Sequence, residues 1–334
     1  MIKFDMNHAV ADALRTMGLH GVEFDGRRID ANETAMFARS LEHIFAELYE
    51  VEYPDLKARA LIPVKAAHPG AESHTFREVE KFGQAKIVHN YSTDFPSAEV
   101  QGREFTQGIR SIGSSYQYSI QDMRAASLSG FPLEAQKAIA AREVIEFLLD
   151  DLALNGDANT GLKGWNSLAG SFNPVTKGTQ VSGTTWLTAT PDEILKDVRD
   201  LFKSVPENTK QKHRANTLVL DSASYNHIAF TERGGAASGS SQTLLTYIQA
   251  NVPDLKSVEV WTKLDHAGAT NKSRIFAYDR SPRVIYQVIP QDFEQFPPQA
   301  RGLAFVVNCH LRWGGVVSPY PKAVSYMDGT GAAS

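Results

Sequence analysis

The segment PLEAQKAIAAREVIEFLLDDLALN, residues 132 to 155, constrains this chain more than any other. Ala141, Val144, Ile145, Leu148, Leu149 and Leu152 recur at helical spacing and form one apolar stripe. Pro132 stands where a first-turn proline is tolerated, and Asn155-Gly156 supplies a left-handed stop. With a rise of about 1.5 Å per residue, such a helix is ~35 Å long. A rod of that length sets the span of the molecule and needs a surface to lie on, yet no reactive group is attached to it.

The rest of the composition supports a globular chain. Its 334 residues are 42% hydrophobic, enough for one large or two ordinary domains. The net charge of -4 provides no overall basic field for gripping nucleic acid, so any DNA contact is expected to be local or weak. The one cysteine, Cys309, lies in the apolar run LAFVVNCHL, where an inert buried thiol in a reducing compartment is the expectation. The N-terminus has no signal-like apolar stretch, and no run of about 18 apolar residues occurs to span a bilayer. A soluble, unexported protein with no membrane partner is expected.

Residues 1 to 29 read as an arm, and Asp30 with Glu33 forms a capping box for a helix to about Tyr49, ended by Pro54. From Leu61 to Val100, apolar and charged residues alternate roughly around Gly83, which predicts an extended hairpin. Its charges fall on both faces, so it would gain little by folding alone. SYQYSIQDMRAASLSG, 115 to 130, reads as a short helix stopped by Gly130. Residues 157 to 189 form a polar joint, and Thr190-Pro191-Asp192-Glu193 then opens a second module with cap, first-turn proline and capping-box glutamate. After it, TLVL, two short helices and the runs SVEVW, RIFAY and RVIYQVI alternate as an α/β unit of about 110 residues. The final LAFVVNCHLRWGGVVSPYPKAVSYMDG reads as strand, glycine turn and strand.

A search for chemistry finds none. Ten histidines include no HExxH, and Glu42-His43 and Asp265-His266 are adjacent pairs without ligand spacing. AGATNKS, 267 to 273, lacks the Gly-Lys pair of a phosphate loop, and DANTG, 157 to 161, lacks the distal glutamate of a calcium loop. The serines of GSSYQYS and SGSS show no nucleophile elbow. Asp150 and Asp151 point about 100° apart on a helix and do not pair for acid and base work. The four tryptophans are dispersed away from Lys/Arg clusters and suit core or interface roles. No enzyme activity and no cofactor or metal are expected.

Several segments together resemble the major capsid proteins of tailed double-stranded DNA phages with the Hong Kong 97 fold. They are YSTDFPSAEV (91 to 100), SYQYSIQDMRAA (115 to 126), KAIAAREVIEFLLDDLALNGDANTGLKGWNSLAG (137 to 170), LVLDSASYNHI (218 to 228) and LRWGGVVSPYPKAV (311 to 324). Their order matches over most of the chain. The resemblance implies an α+β fold with an N-terminal arm and first helix (1 to 55) and an extended loop (56 to 100). It further implies a peripheral domain (101 to 189 and 301 to 334) built on spine helix 132 to 155, and an axial domain (190 to 300). The loop would reach across a neighbouring subunit, with Phe76, Arg77, Val79, Lys81 and Phe82 as contact residues.

The implied function is a shell protein of a phage head, assembled in the bacterial host cytoplasm from hexamers and pentamers of itself, around DNA held by weak non-specific contact. Separate scaffolding, portal or decoration proteins are potential partners. If Met1 is the natural start, no large propeptide precedes the arm, so any scaffold would be a separate protein. Nothing in the sequence identifies a Lys and Asn pair for cross-linking, and none is assigned. Gly156, Gly161 and Gly164 are candidate hinge residues for shell expansion, with an ordinary helix stop as the alternative. The competing functional class is an encapsulin shell around a cargo enzyme, which the long first arm disfavours. A hydrolase using the module at 190 to 300 is a third class, without a nucleophile, base or metal grouping to support it.

Overall fold

The computed structural model describes residues 55–87, 95–130, 132–178, 185–234 and 242–331. The arm and helix expected before residue 50 lie outside them. The chain enters through a single helical turn α1 (Ala58–Leu61) and a short strand β1 (Val64–Lys65), then climbs a long hairpin, β2 (Ser73–Gly83) and β3 (Ala98–Gly108). The hairpin expected from the sequence is present. Its return strand, however, starts only at Ala98, because Gly83 ends β2 without turning the chain and residues 84–97 separate the strands.

Residues 110–119 correct the sequence expectation. They form strand β4 (Arg110–Ser119), and only the second half of the predicted helix is helical, as α2 (Ile120–Ser129). Tyr116 and Tyr118 alternate toward the core, which fixes a period of two. The Ser119 hydroxyl accepts from the Asp122 N–H while the Asp122 carboxylate accepts from the Ser119 N–H, and this capping box sets where the strand ends.

Helix α3 (Leu133–Asn155) is the spine. It buries Ala141, Ile145, Leu149 and Ala153, a straight i, i+4 row, against β4 and a long strand near the end of the chain, Ala304–Trp313. The expected six-residue stripe is not buried as a unit: Val144 and Leu148 remain 62% and 45% exposed. A helix lying on a sheet covers one narrow row, and the flanking apolar positions face outward.

After α3 the chain makes a tight turn through β5 (Gly156–Asp157) and β6 (Leu162–Lys163), then β7 (Asn173–Pro174). A Cβ at Gly156 would lie 2.5 Å from the Leu162 carbonyl oxygen, and one at Gly164 would collide with the Gly156 backbone. These two glycines permit backbone against backbone. Gly161 has φ +73° with open space around it and serves the turn itself. The N–H of the next residue, Trp165, donates to the Ala153 carbonyl at 2.8 Å. Its buried ring stacks on Phe276 at 4.7 Å and meets Tyr278 edge-on at 4.9 Å. The joint is therefore packed into the core rather than slack.

The second module begins with α4 (Pro191–Asn208), where Thr190 and Glu193 make the predicted capping box. β8 (Thr217–Leu220), α5 (Ser222–Phe230), α6 (Leu244–Asn251), β9 (Ser257–Val260) and β10 (Arg274–Tyr278) follow. The chain then returns through β11 (Tyr286–Val288), β12 (Gln291–Gln295), β13 (Gln299–Arg301), β14 (Ala304–Trp313), β15 (Val316–Val317) and β16 (Val324–Asp328). β14 runs antiparallel to β4 through every rung from Ala304↔Ser119 to Trp313↔Arg110 and carries β12 and β13. The other main sheet has the order β7-β16-β10-β8-β9, so a strand from beyond residue 300 completes it. Arg274 and Asp328 fasten that strand through two guanidinium contacts of 2.6 and 2.8 Å.

The hairpin root is seated on this body. Phe76 stacks on Phe105 at 5.0 Å and packs against Tyr286, Val288 and Val317. Two rungs below, His74 faces Gln107 over the Gly314-Gly315 turn, where a Cβ on Gly314 would lie 3.1 Å from His74 Nδ1. Neither ring nitrogen of His74 has a hydrogen-bond partner among the described residues. Burial, and secondarily the Lys65 charge, hold its pKa below the ordinary histidine value.

Two outcomes follow from this packing. Gly164→Ala should prevent soluble folding, whereas Gly161→Ala should cost only about 1–2 kcal/mol in urea unfolding; equal, small losses would remove the close-approach argument. Because the folded state resists protonating His74, the unfolded chain takes the proton first as pH falls below about 6.5. Stability should drop in that window, and His74→Leu should flatten the drop. An unchanged pH slope in the variant would show that His74 is not responsible.

Candidate assembly surfaces

Above the root, the hairpin is exposed on both strands and has no further packing partner among the described residues. From Arg77 to Gly83 both strands are exposed, a free ribbon of roughly 23 Å at about 3.3 Å per residue. One face pairs Glu78 with Arg103 and Phe82 with Glu99; the other pairs Arg77 with Glu104 and Lys81 with Val100. The Arg77 guanidinium and Glu104 carboxylate meet at 2.7 Å, but both side chains are largely in solvent and the pair contributes little. Val79 and Phe82 are 57% and 48% exposed, with Val100 beside them. A two-stranded ribbon with apolar side chains on both faces is marginal in water and is completed by lying on another surface.

The expected contact residues therefore separate. Arg77, Val79, Lys81 and Phe82 lie on the free ribbon, while Phe76 belongs to the seated root. Sequence alternation does not mark where a hairpin leaves its own body.

A second exposed apolar surface runs along the outer side of α3. Ile139, Val144, Phe147 and Leu148 form it, with the Lys263 ammonium 4.5 Å from the centre of the Phe147 ring. Of these, Val144 and Leu148 belonged to the helical period that suggested a core stripe, while Ile139 and Phe147 did not. The signal was correct for an apolar helix and silent about whether its partner is the same chain.

Beneath that surface lies a buried carboxylate with partners from distant parts of the chain. Asp150 is buried and accepts from the Ala58 N–H at 2.8 Å and from Trp261 Nε1–H at 3.2 Å, with Lys263 Nζ at 3.8 Å. Its neighbour Asp151 faces outward toward the same lysine at 3.3 Å. This carboxylate ties the entering chain, the spine and the second module at one point.

Groups with displaced pKa values are scattered and structurally employed. Burial raises Asp197, which accepts from Trp186 Nε1–H at 2.9 Å and from the Gly178 N–H at 2.8 Å. Burial likewise raises Asp221, which caps α5 through the Ser224 N–H and accepts from the Thr330 hydroxyl. Burial also pushes up the Cys309 thiol, in keeping with an inert core residue. Among the described residues no group of three metal-ligating side chains occurs, and no helix is long and apolar enough to cross a membrane. What the arrangement offers is surface for protein contact.

Comparisons with known proteins point the same way. No curated protein matches the chain. The capsid of Myoviridae Phage XM1 superposes with a TM-score of 0.74 at 20% identity, covering 91% of this chain and 100% of that one. The capsid of an empty GTA particle gives 0.62 at 14% identity, over 89% and 98%. The virus-like particle from Pyrococcus furiosus is more distant, 0.51 at 10% identity over 82% and 92%. These likenesses establish the Hong Kong 97-like fold. The family model for the major capsid protein matches residues 83–330, about three quarters of the chain. The chain therefore belongs to the major capsid protein family.

Proposed function

We propose that copies of this chain assemble, as hexamers and pentamers, into the icosahedral head shell of a tailed phage, formed in the host cytoplasm around double-stranded DNA. The observation that carries this reading is the pair of unsatisfied surfaces in one chain. The free ribbon at 77–83 and 98–104 needs a platform, and the outer side of α3 is an apolar platform left exposed among the described residues. Head-to-tail use of two different surfaces builds rings when the rotation between copies closes, the geometry a capsomer requires. Packaged DNA would be held without tight binding, in keeping with the net charge of -4. Scaffolding, portal and decoration proteins would act as separate partners. The alternative of a shell around a cargo enzyme has less support, since the matching family is that of phage-type major capsid proteins.

The spine platform and the free ribbon give a direct test. With Cys309 replaced by Ala, cysteines at Phe82 and Val144 should yield disulfide-linked ladders up to whole rings in non-reducing gels of assembled particles, and either cysteine alone should not. Negative-stain microscopy and sedimentation of the unaltered chain should show shells, rings or tubes. A clean monomer at high concentration, with no ladder in the double variant, would contradict the shell reading.

A further inference from the structure

The second module holds a cavity of about 370 Å³ between α4 and α6 that no structural role accounts for. Leu195, Pro206, Tyr247 and Val252 give it a partly exposed apolar lining. Its rim is basic. Arg199 makes no ion pair among the described residues, Lys203 is shared with Glu207 at 3.2 Å, and Arg214 is shared with Asp254 at 3.0 Å. Gln211 and Asp254, both at the cavity, hold left-handed backbone at φ 60° and 65°, a conformation costly for non-glycine residues. An occupant suited to it presents one apolar side chain followed by a carboxylate.

The same module displays such a group elsewhere on its surface. Phe230, the last residue of α5, is 84% exposed, the most exposed aromatic side chain of the described residues. Two residues on, Glu232 is exposed and makes no ion pair among the described residues, while its backbone is fixed by a bridge to Thr243. Arg233 does not neutralise it, since its guanidinium lies 3.8 Å from the centre of the Tyr247 ring. A short, rigid Phe-Thr-Glu projection is thus held out from a compact module, where its exposed aromatic has no packing partner among the described residues.

We infer that Phe230 and Glu232 of one copy dock into the cavity between α4 and α6 of the next, with Phe230 on the apolar lining and Glu232 at Arg199. This rests on the shell reading and specifies a second contact within it. Each copy supplies one projection and one cavity, so the contact is head-to-tail, as a ring of copies requires. An aromatic anchor inserted into an apolar pocket with a charge pair at the rim has the anatomy of an interface hot spot.

The test uses the full-length chain. Phe230→Ser and Arg199→Glu, both at exposed positions, should leave the thermal melting of the unassembled chain unchanged. Each should raise the protein concentration needed for rings or shells by about tenfold or more, as measured by sedimentation. Glu232→Arg should do the same, and combining it with Arg199→Glu should restore assembly to within a few-fold of the unaltered chain. Normal assembly by every single variant would overturn the contact while leaving the shell standing, as would a charge-reversed double variant no better than its parents. An unaltered chain that never associates would overturn both.

Discussion

The buried carboxylate of Asp150 is the constraint on which the rest of the chain's geometry depends. A charged group so placed is tolerable only when its acceptor capacity is used, and here it is spent on two segments distant in sequence, at Ala58 and at Trp261 with Lys263. The Ala58 N–H fixes where the chain enters, and Trp261 and Lys263 fix the second module against the spine. With those positions set, Gly156 and Gly164 bring backbone against backbone, and Trp165 is delivered into the aromatic cluster with Phe276 and Tyr278. The spine acts as a rigid reference because both of its ends are tied.

Rigidity of the body explains why the unburied parts matter. The hairpin root is sealed by Phe76, Phe105 and the Gly314-Gly315 turn, so the free ribbon leaves at a defined place. Beyond it, both strands are exposed, and the outer side of α3 keeps its apolar residues exposed, among the described residues. A chain that folded for itself would bury Val144, Phe147 and Leu148 with the rest of the helix. Leaving them out costs the single chain stability and assigns that stability to the assembly.

Much of this was legible in the sequence because local chemistry decided it. Pro132 and Asn155-Gly156 bounded the spine, and Thr190 with Glu193 marked the start of α4. Other features depended on partners that no local pattern names. Residues 115–119 carry no strong strand signal and become a strand because β14 runs beside them, while the Ser119 and Asp122 box that ends the strand was readable and missed. The glycines of the joint suggested freedom, but the close approach of Gly164 to Gly156 exists only once the turn has folded. β16 joins a sheet built mainly from residues far before it, which sequence order does not encode. Of the expected contact residues, Arg77, Val79, Lys81 and Phe82 stand on the free ribbon and Phe76 does not, because the departure point is set by the Gly314-Gly315 turn more than 200 residues away.

The central claim is that the ribbon and the spine platform are completed only by a neighbouring copy. Hydrogen exchange on the unassembled and assembled chain measures this directly, since amide protection reports burial and hydrogen bonding segment by segment. Residues 77–83 and 98–104, and the side of α3 bearing Val144 and Leu148, should gain protection together on assembly while β4 and β14 remain protected throughout. A ribbon that is already protected in the unassembled chain, or still unprotected in the shell, would contradict the account.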